Sequence, residues 1–256
     1  MRTIVCYKVA RDERDMVVAP DRTVGFDRCG LVVGDYDLNA IEAGVELATA
    51  SGGEVVALTA GGEEARDSKL RKSVLSRGVS GLTVVADPAL TSATAEVTAR
   101  VLEAAATKLG FDVLLCGEGS ADRYSQQVAA QVAARLGVPF VNAVSRIEPV
   151  EGGLVVERTL EDEVETLQVP LPAVLAVTSD LNTPRVPTMK DILGAGRKPV
   201  TEYSLGDLEA ALPPAVETTG PELAPASHQR SATVFEAGQQ DEFFGALRRL
   251  IGKDAK

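Results

Sequence analysis

Short apolar runs alternate with amphipathic stretches from the N-terminus to Leu136. Thr3–Tyr7 (TIVCY) reads as a buried strand, and Met16–Phe26 predicts a hairpin or an irregular excursion. The segment LNAIEAGVELATA places Leu38, Ile41 and Val45 on one helical face, with Asp35 or Asp37 as its cap and Ser51-Gly52-Gly53 as its stop. A strand follows at Glu54–Ala60, then a polar helix over about Glu63–Arg77 that ends at Gly78. Next come a strand at Leu82–Ala86, an Ala-rich helix over Thr91–Leu109, and a strand at Asp112–Cys116. The sequence GEGSADRYSQ then leads into a helix that runs to Leu136. Strands and helices alternating at these lengths predict the α/β class: a doubly wound, mostly parallel, Rossmann-like sheet with right-handed crossovers and helices on both faces.

The pattern changes at Phe140. Leu154–Leu160 and Val164–Val169 alternate around Glu161-Asp162-Glu163, which predicts a β-hairpin with a solvated acidic tip. Pro170 and Pro172 frame its end, and Ala173–Thr178 is one more apolar strand. Leu181–Pro199 is a connection with three prolines and the basic finish Arg197-Lys198. From Thr201 the chain reads as an arm with Pro213, Pro214, Pro221 and Pro225. It ends in a helical stripe of Phe243, Phe244, Leu247, Leu250 and Ile251, which needs a surface to cover, either its own domain or a partner. Residues 1–200, with hairpin 154–170 and connection 181–199, are thus expected to form one α/β domain, and residues 201–256 an arm.

The 256 residues are 45% apolar and 25% charged, a composition that supports a folded core. No run approaches the roughly 20 apolar residues of a membrane span. The strand pattern begins at Thr3, which leaves no room for a signal or transit peptide, so a cytoplasmic location is expected. A net charge of −11 argues against general nucleic-acid binding. Cys6, Cys29 and Cys116 lack the spacing of a disulfide framework or zinc site, and Cys6 and Cys116 read as buried thiols. The lone histidine, His228, is expected at the surface of the tail. Without a GxSxG elbow, an HExxH motif or a paired nucleophile and base, hydrolysis and acyl transfer are disfavoured.

Candidate chemistry concentrates in Gly117-Glu118-Gly119-Ser120-Ala121-Asp122, between an apolar strand and a helix. Open α/β sheets bind ligands beyond the carboxyl ends of their strands, and a helix N-terminus suits a phosphate. Gly117 and Gly119 allow close backbone approach, Ser120 and Asp122 can cap the helix or bind a ribose, and Gln126 and Gln127 fall in its first turns. Asp122 stands where the dinucleotide fingerprint has its third glycine, and no P-loop lysine follows. From these residues alone, a nucleotide loop and a plain strand–helix turn both remain open.

Three segments together resemble the electron transfer flavoprotein beta family: DVLLCGEGSADRYSQQVAAQVAARLGVPFVNAV (Asp112–Val144), VERTLEDEVETLQVPLPAVLAV (Val156–Val177) and LNTPRVPTMKDILGAGRKPV (Leu181–Val200). The GEGSADRYSQQV version is most similar to the family's Fix-type branch. The resemblance implies a heterodimer with an alpha subunit that holds most of the FAD, while the beta chain binds AMP or, in electron-bifurcating members, a second FAD. It implies nucleotide contacts at Cys6, at Gly34, Asp35, Tyr36 and Asp37, and at Ala60. Further implied contacts are Gly117, Glu118, Gly119, Ser120, Ala121, Asp122, Arg123, Tyr124, Ser125, Gln126, Gln127 and Val128. Many relatives carry Gln, Ala-Ile-Asp and a second acidic residue where this chain has Gly119, Ser120-Ala121-Asp122 and Tyr124. AMP and a second FAD therefore both stay open, and Tyr124 either stacks on a ligand ring or packs.

The resemblance also makes 181–199 a docking loop for dehydrogenases, with Met189 as apolar anchor and Arg185 and Lys190 pairing with partner carboxylates. The implied function is carriage of electrons from dehydrogenases to an acceptor such as a quinone oxidoreductase or a ferredoxin-type protein. Two alternatives stand beside it: a bifurcating variant that oxidises NADH, and a free-standing adenine-nucleotide-binding sensor module.

Overall fold

The computed structural model describes residues 1–91, 93–210, 212, 224 and 233–251. His228 and the prolines of the arm lie outside the described residues, as does the side chain of Leu250. The chain divides into two compact units, one of Met1–Val17 with Gly25–Gly220, the other of Val18–Val24 with Pro221–Lys256.

The first unit is built on a nine-stranded sheet. Its strands are β1 (Arg2–Cys6), β2 (Glu54–Gly61), β3 (Gly81–Ala86), β4 (Val113–Gly117) and β5 (Phe140–Val150), followed by β6 (Gly153–Thr159), β7 (Val164–Pro170), β8 (Ala173–Val177) and β9 (Val200–Tyr203). The spatial order is β7-β6-β5-β8-β4-β1-β2-β3-β9. All neighbours from β5 to β9 pair in parallel, and β5, β6 and β7 form an antiparallel meander at one edge. The mixed α/β architecture read from the sequence is therefore present.

Helices cover both faces because the parallel strands are apolar on both. In β1, Val5 joins the core under α1 (Asp35–Ser51) and α2 (Ser68–Leu75), whereas Ile4 and Cys6 join the core under α3 (Ala95–Leu109) and α4 (Val128–Leu136). Period-two alternation thus splits one strand between two cores. The chain leaves β1 through β2 and β3 on one side, then returns through α3 to β4 on the other. Strand order reverses between β1 and β4, the switch point beyond whose carboxyl ends open α/β sheets place a ligand crevice.

Several boundaries differ from the sequence reading, each for a local reason. The polar helix splits into a 3-10 turn at Glu63–Arg66 and α2, because Asp67 leaves helical geometry and its carboxylate caps the Leu70 amide at 2.8 Å. The Ala-rich helix starts at Ala95, where Thr94 caps Val97. Phe140–Val150 is a long strand, and a seven-residue helix, α5 (Met189–Ala195), sits inside the Pro-containing connection. The body also continues past residue 200, since β9 pairs with β3 and Leu208 is buried in the α3 core.

In the second unit, α6 (Gln240–Ile251) is the amphipathic helix expected from the tail. Phe243, Phe244, Leu247 and Ile251 are exposed on it. Among the described residues no helix is long and apolar enough to cross a membrane.

Helix α1 lies close against the sheet at Gly44, where a Cβ would lie 2.3 Å from Val5 Cγ1 and 3.1 Å from Val55 Cγ2. Overpacking a filled core costs about 1–3 kcal/mol. Gly44→Val is therefore expected to lower stability by roughly that amount or more, as read from a urea titration.

Candidate functional site

The crevice between β1 and β4 is walled by three segments: Tyr7 and Lys8 after β1, Gly34–Asp37 at the start of α1, and residues 118–127 after β4. At its centre is Asp37, a buried carboxylate in the first turn of α1. Its Oδ2 accepts the Lys8 amide at 2.8 Å, and the Gly117 amide donates to the same carboxylate. One side chain thereby ties α1 to the diverging ends of β1 and β4. Burial pushes the Asp37 carboxyl up to about 7, against the pull of those two amides and the Lys8 charge. Neither aspartate caps α1 as expected from the sequence, since Gly34 occupies the cap position and no side chain bonds there.

Two glycines in this region are required by packing. A Cβ on Gly117 would lie 2.6 Å from Asp37 Oδ1 and 2.8 Å from the Tyr36 backbone, so only glycine lets α1 seat against β4. A Cβ on Gly119 would lie 2.6 Å from the Tyr124 ring, which covers that backbone. Tyr124 takes positive φ (42°), as does Gln126 (54°), so the loop folds back on itself. The Tyr124 ring stands 5.7 Å from that of Tyr36. The hydrogen bond to Tyr36 leads the factors that push the Tyr124 phenol up to about 12. Gln126 Nε2 donates to Glu118 Oε1 at 2.8 Å.

Helix α4 begins only at Val128, which corrects the placement of Gln126 and Gln127 in its first turns. Ser120 and Asp122 do not cap it. They meet Lys8 instead, whose Nζ lies 2.7 and 2.6 Å from the two Asp122 oxygens and 3.4 Å from Ser120 Oγ. Burial raises the Asp122 carboxyl, but the Lys8 and Ser120 bonds outweigh it and hold the group below its ordinary range. Lys8 escaped the sequence reading because a single lysine after a strand carries no signal until its partner 114 positions away is known.

The remaining implied contacts fall around the same opening. Cys6 closes β1 with its thiol against that of Cys116, and that hydrogen bond together with burial pushes Cys6 well above the usual thiol range. Both cysteines are free and buried, as expected. Ala60 lies near the end of β2, half-buried against the α3 core. Asp35 and Ser125 are exposed, as are Ala121, Arg123 and Gln127, on the segments that border the crevice.

Arg185, Met189 and Lys190 belong to a separate surface on the α1 and α2 side. The side chain of Arg185 is committed within the chain: Nε and Nη2 bind Glu42 Oε2 and Oε1 at 2.7 and 2.8 Å. Glu42 is a buried carboxylate that needs a cation, and Arg185 supplies it. Asn39 adds bonds to the Asn182 and Ser179 carbonyls, and Lys198 Nζ donates to the Leu75 and Val79 carbonyls at 2.7 Å each. On this stapled segment α5 opens with a capping box between Thr188 and Asp191. Val186, Met189 and Leu193 stand out at 88, 72 and 71% exposure. Met189 and Leu193, four residues apart, lie on one face of α5 with Val186 exposed just ahead of it, an apolar ridge of which the sequence reading identified Met189 alone.

Two tests follow from these geometries. The folded Asp37 carboxyl titrates above an unfolded aspartate, so the folded chain binds the extra proton between about pH 4 and pH 7. Its contribution to stability therefore falls as pH rises through that window. Asp37→Asn is expected to remove that slope from denaturant midpoints measured across pH 4–8, and a wild-type slope unchanged in the variant would contradict the assignment. For the second surface, Glu42→Ala is expected to cost about 1–2 kcal/mol, less than a fully buried pair because Arg185 reaches water. It is also expected to speed amide exchange over 181–190, as read by hydrogen-exchange mass spectrometry.

Two of the crevice segments, Gly34–Asp37 and residues 118–127, fall with the stapled segment within a single family match. The electron transfer flavoprotein domain matches residues 26–208, from ahead of α1 to beyond β9. The chain belongs to the electron transfer flavoprotein family.

Proposed function

We propose that this chain is the beta-type subunit of a heterodimeric electron transfer flavoprotein of the Fix-type branch, with an adenine nucleotide at the β1–β4 crevice. The observation that carries the reading is the convergence of three segments on that crevice, two of them, at α1 and after β4, within the matched span 26–208. The residues fit a nucleotide in three respects. The opening lies at the reversal of strand order, α1 presents its N-terminal turn there, and Lys8 stands beside Ser120 and Asp122. When bound, FAD supplies the one- and two-electron chemistry, and the protein orients it and shields it from water.

The chain's own part is structural and directional. The loop 118–127 and the first turn of α1 hold the nucleotide, Tyr36 and Tyr124 offer ring faces at its rim, and the alpha subunit carries most of the FAD. The body that includes β9 and Leu208 binds the nucleotide, and the arm beyond it meets the alpha subunit, where the exposed stripe of α6 is an apolar surface of the required kind. The ridge of Val186, Met189 and Leu193 is the docking face for dehydrogenases, with Lys190 free to meet acidic partners and Arg185 fixing the loop from below. A fixed platform with a flexible methionine at its crest suits serial contact with several proteins. Downstream, electrons pass to a quinone oxidoreductase or a ferredoxin-type acceptor in the cytoplasm.

Coexpression with an alpha-type flavoprotein chain tests this reading. A stable one-to-one pair releasing FAD and AMP on denaturation is expected, with the nucleotides identified by mass spectrometry. Two FAD per pair and no AMP would assign the bifurcating, NADH-oxidising form. A monomer that binds adenine nucleotide and forms no flavoprotein pair would replace the proposal with a sensor module.

A further inference from the structure

Lys8 connects every wall of the crevice. Its amide is fixed by Asp37 at 2.8 Å, so its backbone is tied to the first turn of α1. Its ammonium crosses to the far wall and grips both Asp122 oxygens, with Ser120 Oγ within 3.4 Å. The side chains of Lys8 and Asp122 are 42 and 23% exposed, so the pair is partly withdrawn from water and less screened than a surface pair. The loop it grips contains two non-glycine residues in left-handed conformation, Tyr124 and Gln126, a geometry that persists only when surrounding contacts impose it. The same opening holds the carboxylates of Glu118 and Asp122, which would repel a phosphate.

We propose that Lys8 is the positioning residue of the nucleotide site: its clasp on Asp122 and Ser120 holds loop 118–127 in the receptive conformation and neutralises Asp122 so that a phosphate can enter. The proposal rests on the nucleotide reading given above and adds a residue and a role to it. Lys8 acts through the loop rather than as a ligand of the nucleotide. Losing the ammonium has two consequences: the loop comes free of β1, and an uncompensated carboxylate faces the phosphate. Removing the Asp122 charge afterwards relieves the second effect and not the first.

The test uses the full chain freed of nucleotide, with AMP and FAD as probes in titration calorimetry, alongside hydrogen exchange of residues 118–127. Lys8→Met is expected to weaken the tighter-binding probe by about tenfold or more and to speed exchange in the loop, whereas Lys8→Arg stays within about threefold of wild type. Adding Asp122→Asn to Lys8→Met is expected to restore part of the affinity while loop exchange remains fast. Asp122→Asn alone is expected to loosen the loop and weaken binding, and it tests the clasp even if Lys8→Met does not fold. Wild-type affinity and exchange in Lys8→Met would overturn the proposal. So would tighter binding in Asp122→Asn alone, which would mean that Asp122 merely competes with phosphate for the ammonium. If the wild-type chain binds neither AMP nor FAD, the nucleotide reading itself fails, a result separate from a wild-type chain that binds and a lysine variant that binds equally well.

Discussion

A carboxylate that accepts amides from two separating strands governs the geometry of this protein. Strands β1 and β4 are neighbours, yet the chain beyond each turns away, which would leave the Lys8 and Gly117 amides without strand partners. Asp37 accepts both, and a buried amide left unpaired would cost as much as a lost hydrogen bond. The arrangement requires α1 to approach β4 so closely that no side chain fits at Gly117. The position of α1, the width of the crevice and the identity of residue 117 are therefore one constraint. A helix displaced by even a side chain's thickness would leave two amides and a carboxylate unsatisfied together.

The surface on the other side of α1 is built differently. Residues 181–198 have little regular structure apart from α5, so side chains rather than backbone ladders hold them. Asn39, Glu42, Arg77 and Lys198 each bond to or from this segment, and all but Lys198 come from the core elements beneath. These bonds satisfy carbonyls and charges that an irregular segment would otherwise present to the core. Ala195 is buried in the core and Leu181 packs against it, whereas Val186, Met189 and Leu193 are left outside. Val186, Met189 and Leu193 stay exposed because the bonds below, rather than burial of those residues, supply the stability of the segment.

How much of this was legible in the sequence depends on how far apart the interacting residues lie. The alternating strands and helices were readable because each is specified by periodicity within a short window, and the hairpin by alternation around an acidic turn. Asp35 and Asp37 preceding an apolar helix read as caps, yet the donors that engage Asp37 lie 29 positions earlier and at the last residue of β4. The Arg185–Glu42 bond spans 143 positions and the Lys8–Asp122 bond 114, and no local pattern encodes either. Helix α5 was missed because seven residues between prolines carry too little period, although Thr188 and Asp191 stood at capping-box spacing. Loop 118–127 was identified as the chemical centre, but its left-handed residues at Tyr124 and Gln126 gave no sign in a segment without glycine there.

Helix α1 joins the two surfaces. Asp37 in its first turn shapes the crevice, whereas Asn39 and Glu42, three residues apart and on a common face, hold the outer segment. Between them the helix is buried through Ala40, Ile41 and Ala43, and at Gly44 it lies too close to β1 and β2 to slide. A close-packed element of this kind transmits position rather than motion. A ligand at the crevice and a protein on the Met189 ridge would then meet at a spacing fixed by the fold. For a family whose chemistry resides in a bound cofactor, that rigidity is the useful property, because the polypeptide contributes orientation and the cofactor contributes reactivity. The Lys8–Asp122 clasp and the Arg185–Glu42 bond lie on its two sides, so loop 118–127 and the outer segment are each anchored around an element that stays fixed.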